Sequence, residues 1–102
     1  MLAKQPKATF KTDVEISIAG GGVEIIKVEY RYFTRKQMAT WAAELGKKTP
    51  LEGLGEIIAG WSDYEEAYSL AALEELLDNY PTAERELFGA FRRELLESKV
   101  KN

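Results

Sequence analysis

Two extended segments in which apolar and polar residues alternate lie near the start of the chain. In the first segment the apolar side chains on one face are Phe10, Val14, Ile16 and Ile18. In the second segment the apolar side chains on one face are Ile26, Val28, Tyr30 and Tyr32. A period of two is typical of a half-buried β-strand. The glycine-rich link AGGG at 19–22 therefore predicts an antiparallel β-hairpin over residues 8–33.

At Thr34 the hydrophobic period lengthens to that of a helix. The sequence TRKQ predicts a capping box, in which Thr34 accepts a hydrogen bond from the backbone of Gln37 while the Gln37 side chain reaches back. The apolar residues that follow at three- and four-residue spacing are Met38, Trp41, Ala42 and Leu45. This pattern predicts an amphipathic helix that ends at Gly46.

Residues 51–61, LEGLGEIIAGW, form a short apolar segment whose leucines and isoleucines share one side of a helix. Its glycines at 53, 55 and 60 each cost up to about 1 kcal/mol relative to alanine in a helix interior. We therefore expect this helix to be short or irregular.

Two stronger helical patterns follow. Ser69 predicts the N-cap of a helix, and the apolar stripe after it is Leu70, Leu73, Leu76 and Leu77. Pro81 ends that helix and is expected in the first turn of a last helix over 82–99. The apolar stripe of the last helix is Leu87, Phe88, Phe91 and Leu95. The whole pattern predicts a single α+β domain over 1–102, with an N-terminal antiparallel β-hairpin followed by three to four α-helices in 34–99.

The amino-acid composition removes most catalytic chemistry. The 102 residues include no cysteine and no histidine, which excludes disulfides, zinc sites and nucleophiles that depend on imidazole or thiolate. Asp63 with Glu65 or Glu66 is the material for a Mg²⁺ site, but the spacing lacks the alternation and central glycine of a calcium loop. We therefore expect a protein that is not an enzyme and has no metal or cofactor.

The charge distribution is asymmetric although the net charge is only −3. No lysine or arginine lies between Lys48 and Arg85. The acidic residues from position 52 to position 78 are Glu52, Glu56, Asp63, Glu65, Glu66, Glu74, Glu75 and Asp78. Such a stretch repels phosphate backbones, so no nucleic acid is expected there. The alternative function is a small regulatory or nucleic-acid-binding protein that uses the basic hairpin face, which carries Lys27, Arg31, Arg35 and Lys36.

The sequence predicts no targeting signal. The first ten residues contain lysines but no apolar core of a signal peptide, and no apolar run is long enough to cross a bilayer. The expected compartment is a cytosol, with no membrane partner.

The segment GWSDYEEAYS at 60–69 concentrates aromatic and acidic residues. Trp61 is expected to fill the core, because burying an aromatic ring removes about 150–250 Å² from water. For Tyr64 and Tyr68, a core position and a role as interface anchors both remain open. The candidate partner-binding residues are Trp61, Asp63, Tyr64, Glu65, Glu66 and Tyr68.

The order of several short motifs narrows the function. They are Gly60-Trp61 with Asp63, Ser69 with Leu73, Leu76 and Leu77, Tyr80-Pro81 with Ala83, Phe91, and Lys101-Asn102. In this order, and behind a hairpin that ends in YRYFTRKQ, they resemble the tail assembly chaperones of long-tailed bacteriophages. The resemblance covers residues 8–102.

The resemblance implies an assembly factor of the host bacterial cytoplasm that is absent from the mature virion. Such chaperones bind the tape measure protein, keep it soluble and help recruit tail tube subunits. The resemblance also implies that this chain is the short form, that a longer frameshifted form of itself exists, and that no catalytic residues carry over. Self-association on a rod-shaped client is compatible with this role. The acidic stretch would steer a basic client.

Overall fold

The computed structural model describes residues 1–97, which form three strands and four helices. In chain order these are β1 (Thr9–Ser17), β2 (Val23–Arg31), α1 (Arg35–Leu45), α2 (Pro50–Ile57), β3 (Ile58–Ser62), α3 (Leu70–Asn79) and α4 (Ala83–Leu96). The strands form one antiparallel sheet in the order β1-β2-β3. The predicted α+β class, with an N-terminal hairpin followed by helices, is confirmed.

The hairpin pairs from Thr9 opposite Arg31 to Ser17 opposite Val23. Its link needs consecutive glycines, because residues 20–22 all have positive φ values, which side chains disfavour. The buried face of the hairpin consists of Val14, Ile16, Ile26, Val28 and Tyr30. Tyr32, which the alternation assigns to this face, is instead 36% exposed. The reason is that β2 ends at Arg31, so the period of two no longer applies at Tyr32.

The helix expected within residues 51–61 is short, as predicted, but the strand that follows it was not predicted. The helix α2 ends at Ile57, and the chain continues directly as β3, which pairs with the central strand β2. Ile57 and Ile58 are both buried, and the change from helix to strand between them lets two consecutive side chains reach the core. Ala59 lies at a bulge in this pairing, between Ile58 opposite Tyr30 and Gly60 opposite Glu29.

Side-chain caps fix the starts of the first three helices. The predicted capping box of α1 is present: the N–H of Gln37 donates to Thr34 Oγ1 at 3.1 Å, and Gln37 Oε1 accepts from the N–H of Thr34 at 2.8 Å. Thr49 and Glu52 form a second capping box on α2, which offsets part of the cost of its glycines. Ser69 caps α3 as predicted, accepting from the N–H of Ala72 at 3.0 Å.

The predicted helices differ from the structure at their ends. Leu70 is not part of the buried stripe but is 54% exposed, because it is the first residue of α3 and no preceding turn covers it. Pro81 lies before α4 rather than in its first turn, since a turn through Thr82 places the helix start at Ala83. The predicted helix end at 99 lies outside the described residues.

The core combines one face of the sheet with all four helices in a single cluster of buried side chains. Phe91 of α4 lies at its aromatic centre, with ring centroids 5.3 Å from Tyr30, 5.4 Å from Trp41 and 5.8 Å from Phe33. These contacts join β2, α1 and α4. The clefts that α2, α3 and the loop after β3 form between them lie outside this cluster of buried side chains.

Candidate partner-binding surface

Trp61, on β3 opposite Val28, organises the segment that the sequence singled out. Two tyrosine rings contact the indole edge-on, Tyr64 at 5.1 Å and Tyr68 at 4.9 Å between centroids. The indole Nε1–H donates to the backbone carbonyl oxygen of Glu66 at 2.8 Å. Contacts between residues that are close in sequence therefore fold the loop after β3 back onto Trp61.

The structure corrects the predicted core position of Trp61. The indole is half-buried, and it packs against the core rather than within it. Trp61 lies near the end of the edge strand β3, and the rings of Tyr64 and Tyr68 from the following loop cover part of its indole. Tyr64 and Tyr68 are half-buried in the same way, so each presents one part of its ring to the core and another part to the surface.

Asp63 and Glu65 occupy different sides of this loop. Asp63 reverses the chain with a φ of 64°, a left-handed conformation that aspartate tolerates better than most residues. The carboxylate of Asp63 faces the hairpin and contributes, after Asp13, to raising the pKa of Lys27. Glu65 lies instead beside Glu66, on the side of α3.

Two adjoining grooves lie on the side of α3, and both are acidic. The smaller, of about 500 Å³, runs between the loop after β3 and the end of α3. The larger, of about 840 Å³, lies between α2 and α3 and reaches the start of α4. The carboxylates that line the two grooves are those of Glu65, Glu66, Glu74, Glu75, Asp78 and Glu84. We call this pair the acidic groove; within residues 1–97 no lysine or arginine lines it.

The floor of the larger of these two grooves carries apolar residues. Leu51 of α2 and Leu77 of α3 are half-buried, and Pro50 and Ala71 lie exposed beside them. An apolar strip with a rim of carboxylates is a shape that suits an amphipathic segment with basic flanks. The sequence indicated the acidic character but not the floor, because Leu51 and Leu77 are distant in sequence and meet only when α2 packs on α3.

The negative charge of the groove affects the pKa of Tyr64. Burial raises the pKa of the Tyr64 phenol, and the carboxylates of Glu75, Glu66 and Glu65 raise it further. Negative charge from both the loop and α3 therefore converges on this hydroxyl group. Burial also raises the pKa of Tyr68, while the charge of Arg31 lowers it.

These carboxylates are dispersed along the groove rather than gathered around a point. In the part of the chain that the structure describes, no group of three or more carboxylates is placed to hold a metal ion. The predicted site residues that the structure brings together are Trp61, Tyr64, Glu65, Glu66 and Tyr68. Asp63 does not line the acidic groove. What the arrangement offers a partner is apolar contact and negative charge.

The basic residues of the hairpin do not form a comparable surface. Lys27 Nζ pairs with Asp13 Oδ1 at 2.9 Å. The guanidinium of Arg31 donates to the carbonyl oxygen of Ile58 at 2.9 Å, and to two carbonyl oxygens near the end of α2 at 3.4 Å. Arg31 therefore caps α2. Two of the four basic residues that were candidates for nucleic-acid binding, Lys27 and Arg31, thus have partners within the fold.

Among the described residues, no helix is both long and apolar enough to cross a membrane. No curated protein and no solved structure shows significant similarity to the chain. A family model described as phage tail assembly chaperone matches residues 1–102, the whole chain. The resemblance drawn from the sequence motifs is thereby confirmed, and the chain belongs to the phage tail assembly chaperone family.

Proposed function

We propose that this chain binds the tape measure protein through the acidic groove, keeps it soluble and helps recruit tail tube subunits during tail assembly. The observation that carries the proposal is the apolar floor at Leu51 and Leu77 within a rim of carboxylates. Family membership agrees with a role that is not enzymatic. The protein acts in the host cytoplasm and leaves before the virion is complete.

The groove suits a helical client with basic flanks. An amphipathic helix that lies between α2 and α3 would place its apolar side chains on Leu51 and Leu77, and its lysines and arginines would meet the rim. The uncompensated negative charge also raises the rate of encounter with a basic client, and the effect falls with salt. Covering the apolar face of the client keeps it from aggregating.

Further partners follow from the same role. A longer frameshifted form that contains this chain would carry the same groove, so both forms would compete for the client. Several copies would associate along a rod-shaped client, each occupying one segment. Tail tube subunits would then meet a coated client rather than a bare one.

The test reverses charge on the rim. Glu65→Lys with Glu66→Lys is expected to weaken binding to the tape measure protein of the same phage about tenfold or more, with an unchanged melting temperature. The matched control is Glu24→Lys with Glu97→Lys, which makes the same change in net charge at exposed positions away from the groove. Equal affinities for the two double variants, both folded, would refute the groove as the binding site.

A gel shift tests the nucleic-acid alternative. Electrostatic binding to DNA weakens steeply with salt because counterions are released. With Lys27 and Arg31 engaged in the fold, we expect no salt-dependent retention of DNA. Retention that Arg35→Glu with Lys36→Glu abolishes would favour the alternative.

A further inference from the structure

Residues 1–8 form an exposed segment that carries positive charge. We call it the N-terminal segment; its sequence is MLAKQPKA. Every residue in it is exposed, and Leu2 keeps 96% of its accessible surface. Its two charged side chains are those of Lys4 and Lys7, and neither forms an ion pair within residues 1–97. The segment therefore offers apolar surface and two lysines to a partner.

Pro6 favours an extended course through the N-terminal segment. A proline fixes its own φ and biases the residue before it, here Gln5, towards an extended or polyproline II conformation. Polyproline II has three residues per turn, so Lys4 and Lys7 project to the same side. From Leu2 to Lys7 the segment then spans about 16 Å, at about 3.1 Å per residue. The ten residues of α3 span about 15 Å.

The acidic groove along α3 has the complementary character. None of its six carboxylates forms an ion pair among the described residues, and no lysine or arginine of those residues lines it. Glu74 and Asp78, four apart on one stripe of α3, line the groove together with Leu51 and Leu77. The N-terminal segment contains no carboxylate side chain, so charge attracts it to the groove along its whole length.

The spacing of the charges also agrees. Lys4 and Lys7 are about 9 Å apart along a polyproline II segment, whereas Glu74 and Asp78 are about 6 Å apart along the helix. The flexible four-carbon stems of the lysines absorb this difference. With both lysines on the rim, Leu2 is left to contact the apolar floor.

Within one chain these two surfaces stay apart. No residue of the N-terminal segment lines either part of the acidic groove, and all eight residues are exposed. A second copy of the chain brings the surfaces together, because the segment of one copy meets the groove of the next. Such a contact joins two different surfaces, so it continues from copy to copy.

We propose that the N-terminal segment of one copy binds the acidic groove of another copy, and that the client displaces it. This inference rests on the proposed function, since both occupants use the same groove. Before the client is present, the bound segment covers Leu51 and Leu77 and keeps this apolar surface from unspecific contacts. Because charge contributes to the contact, it weakens with salt.

Sedimentation velocity in the absence of any client tests the contact. Association should appear between about 10 µM and about 1 mM protein at low salt, and weaken in about 0.5 M salt. Lys4→Glu with Lys7→Glu should weaken association about tenfold or more. The matched control is Lys36→Glu with Arg92→Glu, which makes the same change in net charge at exposed positions outside both surfaces. No association at about 1 mM, or equal losses in the two variants, overturns the proposal.

Reversing both surfaces separates a specific contact from general charge repulsion. Glu74→Lys with Asp78→Lys removes a like-charge pair from α3, so the helix should stay folded, and association should weaken about tenfold. A chain with all four changes at positions 4, 7, 74 and 78 has the net charge of the parent. It should regain association, because the reversed segment meets a reversed rim. If it melts like the parent and does not associate, the proposal is overturned.

A spin label shows whether the contact lies between copies. The chain has no cysteine, so Ala3→Cys gives a single site for a nitroxide label. Mixed with an isotope-labelled chain that lacks the nitroxide, the labelled copy should broaden the amide signals of Glu74, Leu77 and Asp78 in the other copy. Absence of broadening between copies overturns the proposal, as does broadening confined to the chain that carries the label.

Addition of the tape measure protein distinguishes this inference from the proposed function. Saturating client should remove the broadening between copies, and broadening that persists overturns the displacement. If copies associate as described while Glu65→Lys with Glu66→Lys leaves client affinity unchanged, the proposed function fails and the contact between copies stands. If the client binds through the groove but the chain alone shows no association, only the present inference fails.

Discussion

The hydroxyl group of Tyr30 donates a 2.7 Å hydrogen bond to the carbonyl oxygen of Leu87, and this bond ties the central strand to the last helix. Tyr30 is fully buried, and its ring lies 5.3 Å from that of Phe91. Leu87 lies within α4, so its carbonyl oxygen also accepts the ordinary helical bond from the N–H of Phe91. The tyrosine therefore uses the second lone pair of an oxygen that is already bonded.

Replacing Tyr30 by phenylalanine should lower stability modestly. Tyr30→Phe removes the hydrogen bond but leaves the Leu87 carbonyl with its helical partner, so we expect a loss of about 0.5–1.5 kcal/mol. For a domain of this size, thermal unfolding would shift by about 4–8 °C for each kcal/mol. Tyr30→Ala should cost about 3–5 kcal/mol because it also leaves a cavity. A Tyr30→Phe melting temperature equal to that of the parent would contradict a role for the bond in stability.

The same buried phenol predicts a loss of stability at alkaline pH. Burial raises the pKa of Tyr30, with a smaller opposing effect from Arg93. Above about pH 10 the unfolded chain releases this proton while the folded chain keeps it. Stability is therefore complete below that pH and falls above it, by about 1.4 kcal/mol per pH unit for one such group.

Tyr30→Phe is the control for this pH dependence. Other groups whose pKa is raised, Lys27, Tyr64 and Tyr68, are common to both proteins and cancel in the difference. The stability advantage of the parent over Tyr30→Phe, measured by urea unfolding, should shrink as the pH rises above about 10. Parallel curves for the two proteins would show that Tyr30 ionises as easily in the fold as outside it.

The features that the sequence predicts well are those set by neighbours in the chain. The hairpin link of glycines, the capping box at Thr34 and the N-cap at Ser69 all depend on residues within a few positions, and all are present. The strand β3 depends instead on pairing with β2, some thirty residues away. The five residues of β3 include Gly60, which has no side chain to show an alternation, so the local pattern could not reveal this strand.

The candidate site divides in the same way. The sequence indicated the aromatic loop and its negative charge, because both lie within one run of residues. The sequence could not show that Trp61 is only half-buried, because the cover over its ring depends on the path of the loop. It also could not predict the groove floor at Leu51 and Leu77, which the packing of α2 on α3 creates.

Gly53 is required where α2 meets two other helices. A Cβ atom at this position would lie 2.6 Å from Leu45 Cδ1 and 3.3 Å from Phe88 Cζ. Gly53→Val should therefore destabilise the fold by about 1–3 kcal/mol through overpacking. Gly89→Ala, on an open side of α4, is the control and should stabilise by up to about 1 kcal/mol. Chemical denaturation measures both, and a Gly53→Val protein as stable as the parent would mean that Leu45 and Phe88 move aside at no cost.

The indole hydrogen bond of Trp61 should hold the acidic loop in place. Trp61→Phe keeps an aromatic ring between Tyr64 and Tyr68 but removes the donor to the carbonyl oxygen of Glu66. A bond of about 0.5–1.5 kcal/mol corresponds to roughly two- to tenfold more frequent opening of the loop. Cleavage after Glu65 or Glu66 by a glutamate-specific protease should accelerate by that factor, because it follows the population of the opened loop, while β2 stays uncleaved.

Tyr64→Phe is the control that distinguishes the loss of the indole hydrogen bond from a general loss of polarity in the loop. The Tyr64 hydroxyl has no hydrogen bond among residues 1–97, so its removal should leave the rate of loop cleavage unchanged. Because Glu65 and Glu66 lie on the segment that the indole anchors, Trp61→Phe should also weaken binding of a basic client, and Tyr64→Phe should not. If loop cleavage accelerates while client affinity stays constant, the rim does not need to be held rigid for binding. If the rate of loop cleavage does not change at all, the ring contacts alone fix the loop, and the hydrogen bond is incidental.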